Sequence, residues 1–142
     1  MDEDKPLAPD QTRVLACGTF DLLHPGHESF LQQAAELGDQ LFVVVARDQN
    51  VERLKGRTPS QVETIREAAV QALAVVHEAR LGLPGSDFLR VVRQIAPDVI
   101  ALGYDQRAPK DLADAFPDCR IVTLDAHEPQ RYKTSLLRKQ DS

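Results

Sequence analysis

Apolar residues occur along this chain in two alternating patterns, short continuous runs and longer stretches with helical spacing. The continuous runs are typical of strands that are buried on both faces of a parallel sheet. In chain order, the predicted strands are residues 13–17, 41–46, a strand that begins at 74–76, 99–102 and 119–124.

Between the strands, apolar residues recur every three or four positions, as in helices that cover a core. Pro25 suits the first turn of the first helix, and Gly38 marks its end. Ser60 and Glu63 predict a capping box at the start of the second helix, and Ser86 is the predicted cap of the third, which ends at Pro97. The predicted buried stripes are Phe30, Leu31, Ala34 and Leu37; Val62, Ile65, Ala69 and Leu73; and Phe88, Val91, Val92 and Ile95.

The remaining segments are more polar. Residues 47–59 are polar and basic, which predicts a loop of about a dozen residues, and loops of that length are often functional. A short helix is expected around residues 110–116, and a last helix is expected to begin near Thr134.

Strands that alternate with helices predict an α/β fold with a single-domain, doubly wound, five-stranded parallel sheet of Rossmann-like order 3-2-1-4-5. In that order the winding reverses between the first and fourth strands, and ligands bind in this crevice at the carboxyl ends of the strands. Residues 18–20 and 103–105 each place a glycine directly after a buried strand, so we expect them to face one ligand.

Size and composition agree with one folded domain over residues 12–142, preceded by a disordered tail at 1–11 that carries two prolines and four acids. No apolar run reaches the roughly 20 residues of a membrane helix, and the acidic start does not resemble a signal peptide. We therefore expect a cytoplasmic protein without a membrane partner. Cys17 and Cys119 lie in predicted strands and are interpreted as small buried residues.

The net charge of −5 argues against nucleic acid as a partner, because nucleic-acid binding requires a basic face. Positive charge is nevertheless concentrated in two segments, which favours a phosphate-facing role for at least one member of each. The members are Arg47, Arg53, Lys55, Arg57 and Arg66 in one segment, and Arg131, Lys133, Arg138 and Lys139 in the other.

The most informative stretch is Cys-Gly-Thr-Phe-Asp-Leu-Leu-His-Pro-Gly-His at residues 17–27. It joins a predicted strand to a helix N-terminus, where free N–H groups and the helix dipole favour phosphate. His24 and His27 are three residues apart, so both can donate hydrogen bonds from one side of the first turn, and Gly18 and Gly26 permit close approach of a ligand.

This pattern predicts transfer of a nucleoside monophosphate from a nucleoside triphosphate to a phosphate-bearing acceptor. Fixed donors would stabilise the charge that builds on the transferred phosphoryl group. A phosphate acceptor is already ionised, so no general base is obviously required. Asp21 is interpreted as holding the turn through hydrogen bonds to backbone, and His77 and His127 as structural residues.

The run Gly-Thr-Phe-Asp-Leu-Leu-His-Pro-Gly-His resembles the cytidylyltransferase-like branch of the nucleotidyltransferase superfamily. Residues 45–48, 54–59 and 102–106 are similar to the archaeal-type FAD synthases, and the resemblance covers about residues 13–138. It implies that ATP and FMN are the substrates, that FAD and pyrophosphate are the products, and that a divalent metal, usually Mg²⁺, takes part. We expect the triphosphate rather than the protein to hold that metal.

The same resemblance implies roles for individual residues. Lys55 would act with His24 and His27 in catalysis, and Arg57 and Arg66 are possible phosphate contacts; the alternative for Arg66 is a solvated helix charge. Asp105 would bind ribose or a base edge, the alternative being a turn former. The implied nucleotide-binding residues are Gly18, Thr19, Phe20, His24, Pro25, Gly26, His27, Asp105, Tyr132, Thr134 and Ser135.

Two other functions remain open at this point. The family's Ser/Thr-rich signature at the last helix corresponds here to Tyr-Lys-Thr-Ser at 132–135, where Thr134 and Ser135 could also be simple caps. The Arg-Thr-Glu-Gly-Ile-Ser run of glycerol-3-phosphate cytidylyltransferases is absent, which disfavours but does not exclude a CTP-dependent enzyme acting on glycerol 3-phosphate or a similar small phosphate. A non-catalytic nucleotide sensor is disfavoured because both histidines are present.

Relatives are often homodimers, and a flavin slot would be expected near Leu22, Leu23 and residues 104–116.

Overall fold

The computed structural model describes residues 11–83, 88–103, 106, 108 and 111–124. Its sheet has five parallel strands in the order β3-β2-β1-β4-β5, as the sequence predicted. The strands are β1 (Arg13–Gly18), β2 (Gln40–Val45), β3 (Glu78–Leu81), β4 (Val99–Leu102) and β5 (Arg120–Thr123). The helices are α1 (Pro25–Ala35), α2 (Asp48–Lys55), α3 (Glu63–Gln71), α4 (Phe88–Ile95) and α5 (Leu112–Ala115).

The core lies on both faces of the sheet, because neighbouring residues of a strand point to opposite sides. Val14 and Ala16 of β1 belong to a cluster that includes buried residues of α1 and α3, such as Leu31 and Val70. Leu15 belongs to a second cluster on the other face, with the buried residues of α4 and α5. The sheet is therefore doubly wound, and β1 lies at its centre between β2 and β4.

The prediction of a loop over residues 47–59 is wrong, because eight of these thirteen residues form the helix α2. Val51 is the one buried side chain of this helix, so it lacks the apolar stripe from which a helix is recognised. The helix ends at Lys55 and is followed by Gly56, whose left-handed backbone (φ 76°) suits glycine.

The start of α3 was also predicted incorrectly. The helix begins at Glu63, and Ser60 does not cap it. Val62 and Ile65 are each 53% exposed, whereas Arg66 and Val70 are buried. The buried face is therefore rotated from the predicted stripe, because Arg66 finds polar partners inside the fold.

Other boundaries differ less. β3 begins at Glu78, later than predicted, and Val76 is buried in the turn before it. The first and third helical stripes are confirmed by the burial of Leu31 and Ala34 and of Val91, Val92 and Ile95. Residues 1–10, Ser86 and the helix expected near Thr134 lie outside the described residues.

Candidate active site

The turn that follows β1 brings the motif together at the carboxyl end of the sheet. Phe20 and Leu22 both have left-handed backbones, with φ of 55° and 54°. The Phe20 ring is buried, lies edge-on to His27 at 5.6 Å, and packs on Phe30. A Cβ at Gly18 would approach the Phe20 ring to 2.9 Å, so the glycine makes room for this ring. The turn is thus folded back against the start of α1.

His24 and His27 cap α1 reciprocally, which is an unusual use of imidazoles. The Gly26 N–H donates to His24 Nδ1 at 3.0 Å, and the His24 N–H donates to His27 Nδ1 at 3.3 Å. Since each Nδ1 accepts a hydrogen bond, the proton of each neutral ring is carried by Nε2. The cap therefore leaves both Nε2–H groups as the remaining donors at the positive end of the helix dipole.

The two rings stack with their centroids 3.8 Å apart, so they lie on one side of the first turn, as their three-residue spacing predicted. Burial lowers the pKa of His27 to about 4, with a further lowering by the charge of His24 and an opposing effect of Asp21. His27 is therefore neutral at neutral pH. It can donate a hydrogen bond to a phosphate oxygen but carries no full positive charge.

Lys55 lies at the C-terminal end of α2 and reaches the strand-end turn. Its Nζ donates to Thr19 Oγ1 at 3.4 Å. The prediction that Lys55 approaches the site from this segment agrees with the geometry, although a helix carries it. Arg57 follows Gly56 and is exposed.

Arg66 is fully buried beneath the same turn, so the alternative of a solvated helix charge is wrong. Its Nη1 donates to the Thr19 carbonyl at 2.8 Å, its Nε to the Gln61 carbonyl at 2.9 Å, and its Nη2 to the Asp48 carboxylate. The structure therefore places Arg66 under the site and not on its surface, so the phosphate contact that the sequence left possible for it is not accessible in this arrangement.

Asp21 holds backbone, as predicted, but its partners are remote in the sequence. Its carboxylate accepts the N–H groups of Ser60 at 2.8 Å and Gln61 at 3.0 Å, and the Ser60 hydrogen bond is the main cause of its lowered pKa. The Leu22 N–H donates to Gln61 Oε1 at 3.2 Å. The segment before α3 is thus fastened to the turn after β1.

Gln106 connects the two sides of the crevice and was not identified from the sequence. Its side chain accepts the Gly103 N–H at 2.7 Å and donates to the Cys17 carbonyl at 3.0 Å. The ends of β1 and β4 are therefore tied together where the strand order reverses. The signals in the sequence were its position directly after the predicted 103–105 turn and its place in the 102–106 stretch that is similar to the archaeal-type FAD synthases.

Four of the predicted site residues are not among those that the structure describes. Asp105, Tyr132, Thr134 and Ser135 lie outside the described residues and stay predictions.

Both cysteines are partly buried, and burial raises the pKa of the Cys17 thiol to about 12. In the described part of the chain, no group of three or more His, Cys, Asp or Glu residues could hold a metal ion.

A doubly wound sheet with imidazole donors at the helix that follows its first strand makes the chain an α/β protein of the kind that suits phosphate ligands. Residues 15–140 match the model of the cytidylyltransferase-like family. The chain belongs to this family.

Curated relatives agree with this assignment. The chain is 50% identical over 103 residues to the FAD synthase of Methanosarcina mazei, covering 72% of this chain and 66% of the relative. It is 52% identical over 108 residues to that of Aciduliprofundum boonei, covering 76% and 70%. It is 43% identical over 135 residues to that of Halorubrum lacusprofundi, covering 92% and 86%.

Solved structures support the fold. The lipopolysaccharide core biosynthesis protein of Thermoplasma volcanium is 38% identical with a TM-score of 0.77, covering 83% of this chain and 99% of that one. The pantoate-beta-alanine ligase of Francisella tularensis has a TM-score of 0.56 at 14% identity, covering 84% and 60%, which shows a shared fold alone.

Proposed function

We propose that this protein is an FMN adenylyltransferase, which transfers AMP from ATP to FMN and forms FAD and pyrophosphate. The observation that carries the proposal is the reciprocal imidazole cap of α1, with Lys55 brought to the adjacent turn. The FAD synthase names of relatives at 43–52% identity support FMN as the acceptor.

In the proposed reaction, an oxygen of the FMN phosphate attacks the α-phosphorus of ATP. The new P–O bond forms as the bond to the β-phosphate bridging oxygen breaks, and pyrophosphate leaves with that electron pair. The attacking phosphate is already ionised, so no protein group has to remove a proton. The chain therefore needs to bind, orient and stabilise charge.

The Nε2–H groups of His24 and His27 and the N-terminus of α1 are suited to the oxygens on which charge builds. Because the cap fixes the rings before substrate arrives, little reorganisation is needed during the reaction. Lys55, with Arg57 beside it, would contact the β- and γ-phosphates. Asp105, Tyr132, Thr134 and Ser135 remain proposed nucleotide contacts.

A divalent cation, usually Mg²⁺ in this chemistry, would neutralise part of the triphosphate charge. The described residues supply no ligand cluster, and the Asp21 carboxylate is occupied by two backbone N–H groups. We propose, as the family resemblance implies, that the cation arrives bound to the triphosphate.

The flavin ring requires an apolar surface close to the phosphate site. Leu22 is 54% exposed and lies two residues before His24, in a left-handed backbone conformation that its bond to Gln61 supports. An exposed leucine in a strained turn beside catalytic groups fits a contact with the acceptor. The further flavin contacts predicted for residues 104–116 stay a prediction.

The test uses purified protein with Mg²⁺, either ATP or CTP, and either FMN or glycerol 3-phosphate, with detection of pyrophosphate and chromatography of the products. FAD formed from ATP and FMN supports the proposal. CDP-glycerol as the product would identify the CTP-dependent alternative, and tight nucleotide binding without turnover would identify a sensor.

Lys55→Ala tests the triphosphate contact. We expect the KM for ATP to rise about tenfold, the effect of losing one charge-assisted hydrogen bond of about 1.4 kcal/mol. Arg93→Ala removes the same charge from α4, on the other face of the sheet, and should leave the KM unchanged. Equal values for both variants would show that Lys55 does not contact ATP.

A cytoplasmic location and a homodimer are also proposals. None of the described helices has the length and apolar character to cross a bilayer. Sedimentation of the purified chain measures the oligomeric state directly.

A further inference from the structure

Helix α2, which carries Lys55, is attached to the fold mainly through its first half. Val51 is its one buried side chain, and Asn50 Nδ2 donates to the Leu83 carbonyl at 3.2 Å. Residues 52–55 are exposed. Lys55 therefore lies at the exposed end of a short helix whose contacts with the rest of the fold are made mainly in its first half.

The starts of α2 and α3 cap each other. The Asp48 N–H donates to Glu63 Oε1 at 2.8 Å, and the Glu63 N–H donates to Asp48 Oδ2 at 3.2 Å. Within the described ranges, neither helix has a side-chain cap from its own N-cap residue, Arg47 or Val62. The exchange between Asp48 and Glu63 takes the place of those caps.

Arg66 joins this pair to the turn after β1. Its buried guanidinium donates to the other oxygen of the Asp48 carboxylate and to the Thr19 carbonyl. Thr19 is also the residue whose hydroxyl accepts from Lys55. The buried Arg66 side chain thus binds both the start of α2 and the backbone of Thr19, and Thr19 is the residue that Lys55 contacts from the other end of α2.

We propose that Arg66, Asp48 and Glu63 form a positioning unit that sets where Lys55 meets the triphosphate. The identity of that ligand rests on the proposed function, but the positioning does not depend on the acceptor. Asp48 and Lys55 are separated by about 10 Å along the helix axis at 1.5 Å per residue. A tilt of about 15° at Asp48 would therefore move the end of the helix by roughly 3 Å, more than a phosphate contact tolerates.

The test is a pair of double-mutant cycles on the full chain, read as the dissociation constants of Mg·ATP and Mg·CTP by calorimetry. Glu63→Ala and Arg66→Met are each made alone and together with Lys55→Ala. Glu63→Gln keeps the oxygen that accepts the Asp48 N–H and should rescue binding. Glu67→Ala removes the same charge from the same helix as a control.

If the unit acts through Lys55, Glu63→Ala and Arg66→Met should each weaken nucleotide binding about three- to tenfold in the otherwise unmodified protein. In the Lys55→Ala background, each should weaken binding by less than about 1.5-fold, because the effects of coupled residues are not additive. Hydrogen exchange of residues 48–55 should rise in Glu63→Ala and not in Glu67→Ala. Should Arg66→Met fail to fold, the Glu63 cycle decides alone, because Glu63 is partly exposed.

Equal effects of Glu63→Ala in both Lys55 backgrounds, or no effect in either, would overturn the inference. Coupling without formation of FAD would leave the positioning unit in place and reject only the proposed acceptor. Failure of the unmodified protein to bind either nucleotide would reject both proposals.

Discussion

Besides its stack on His24, the ring that His27→Ala removes has two observed contacts and one proposed contact at the start of α1. The first is the proposed Nε2–H donor to phosphate, and loss of one such donor costs about 2.7–4 kcal/mol, or 10²–10³ in kcat. The second is the cap that accepts the His24 N–H, and the third is the edge contact with Phe20. The last two contribute to stability, by about 1 kcal/mol each.

The expected result is a loss of kcat of at least about a hundredfold, with a free energy of unfolding lower by about 2 kcal/mol. His27→Gln separates the two effects, because glutamine at the third helical position can accept the His24 N–H through Oε1. It should recover much of the stability but not the Nε2–H donor. The assay is pyrophosphate release at saturating ATP and FMN, paired with urea unfolding.

His77→Ala is the matched control. His77 lies just before β3 at the opposite end of the sheet, where it packs edge-on to Phe42 at 5.2 Å. Its kcat should equal that of the unmodified protein. If His27→Ala folds and loses only a fewfold in kcat, the assignment of His27 as a transition-state donor is refuted.

Three further predictions concern the surroundings of the site. The lowered pKa of His27 means that the unfolded chain takes up a proton first, so stability is full above about pH 6.5 and falls towards pH 4. Because the His27 ring is partly exposed, the effect is smaller than the full pKa shift would give. Between pH 7 and pH 4 the free energy of unfolding should fall by about 1–2 kcal/mol more in the unmodified protein than in His27→Gln, and equal falls in urea unfolding would contradict this. Gln106→Leu should lower the free energy of unfolding by about 1–3 kcal/mol, because two backbone partners lose their hydrogen bonds, and an unchanged urea midpoint would show that the bridge is dispensable. Burial raises the pKa of the Cys17 thiol to about 12, so this thiol should resist alkylation by iodoacetamide at pH 8. Rapid alkylation of Cys17 in the folded protein, detected by mass spectrometry, would contradict the burial of the thiol.

The site contains two kinds of basic residue, which the structure distinguishes by exposure. Lys55 lies at the surface with one long contact, and Arg66 is buried with acceptors for three of its nitrogens. A lysine on a flexible stem is suited to following a triphosphate, whereas the planar guanidinium is suited to fixed partners. Lys55 and Arg66 therefore have different structural roles, although both belong to the same basic segment of the sequence.

The order of the sheet and the position of the crevice could be predicted from sequence because both depend on local patterns. Continuous apolar runs specify buried parallel strands, and the alternation with helices leaves few possible topologies. The spacing of His24 and His27 at a helix that begins at Pro25 likewise depends only on helix geometry, so their position on one side of the first turn was predictable.

Polar contacts between segments distant in the sequence could not be predicted in the same way. Helix α2 has a single buried side chain, and its start is held by Glu63, fifteen residues away. Ser60 has the composition of a cap, but its N–H is bound by Asp21, 39 residues away.

Burial of Arg66 is the clearest case of a decision made by tertiary structure. By itself an arginine is a surface residue, since an unpaired guanidinium is too costly to bury. Only when the fold brings the Thr19 carbonyl, the Gln61 carbonyl and the Asp48 carboxylate around one point does burial become favourable. Local sequence thus specified the strands, the helix that bears the histidines and the kind of ligand they suit, and the tertiary fold determined which basic side chain lies at the surface of the candidate site and which is buried beneath it.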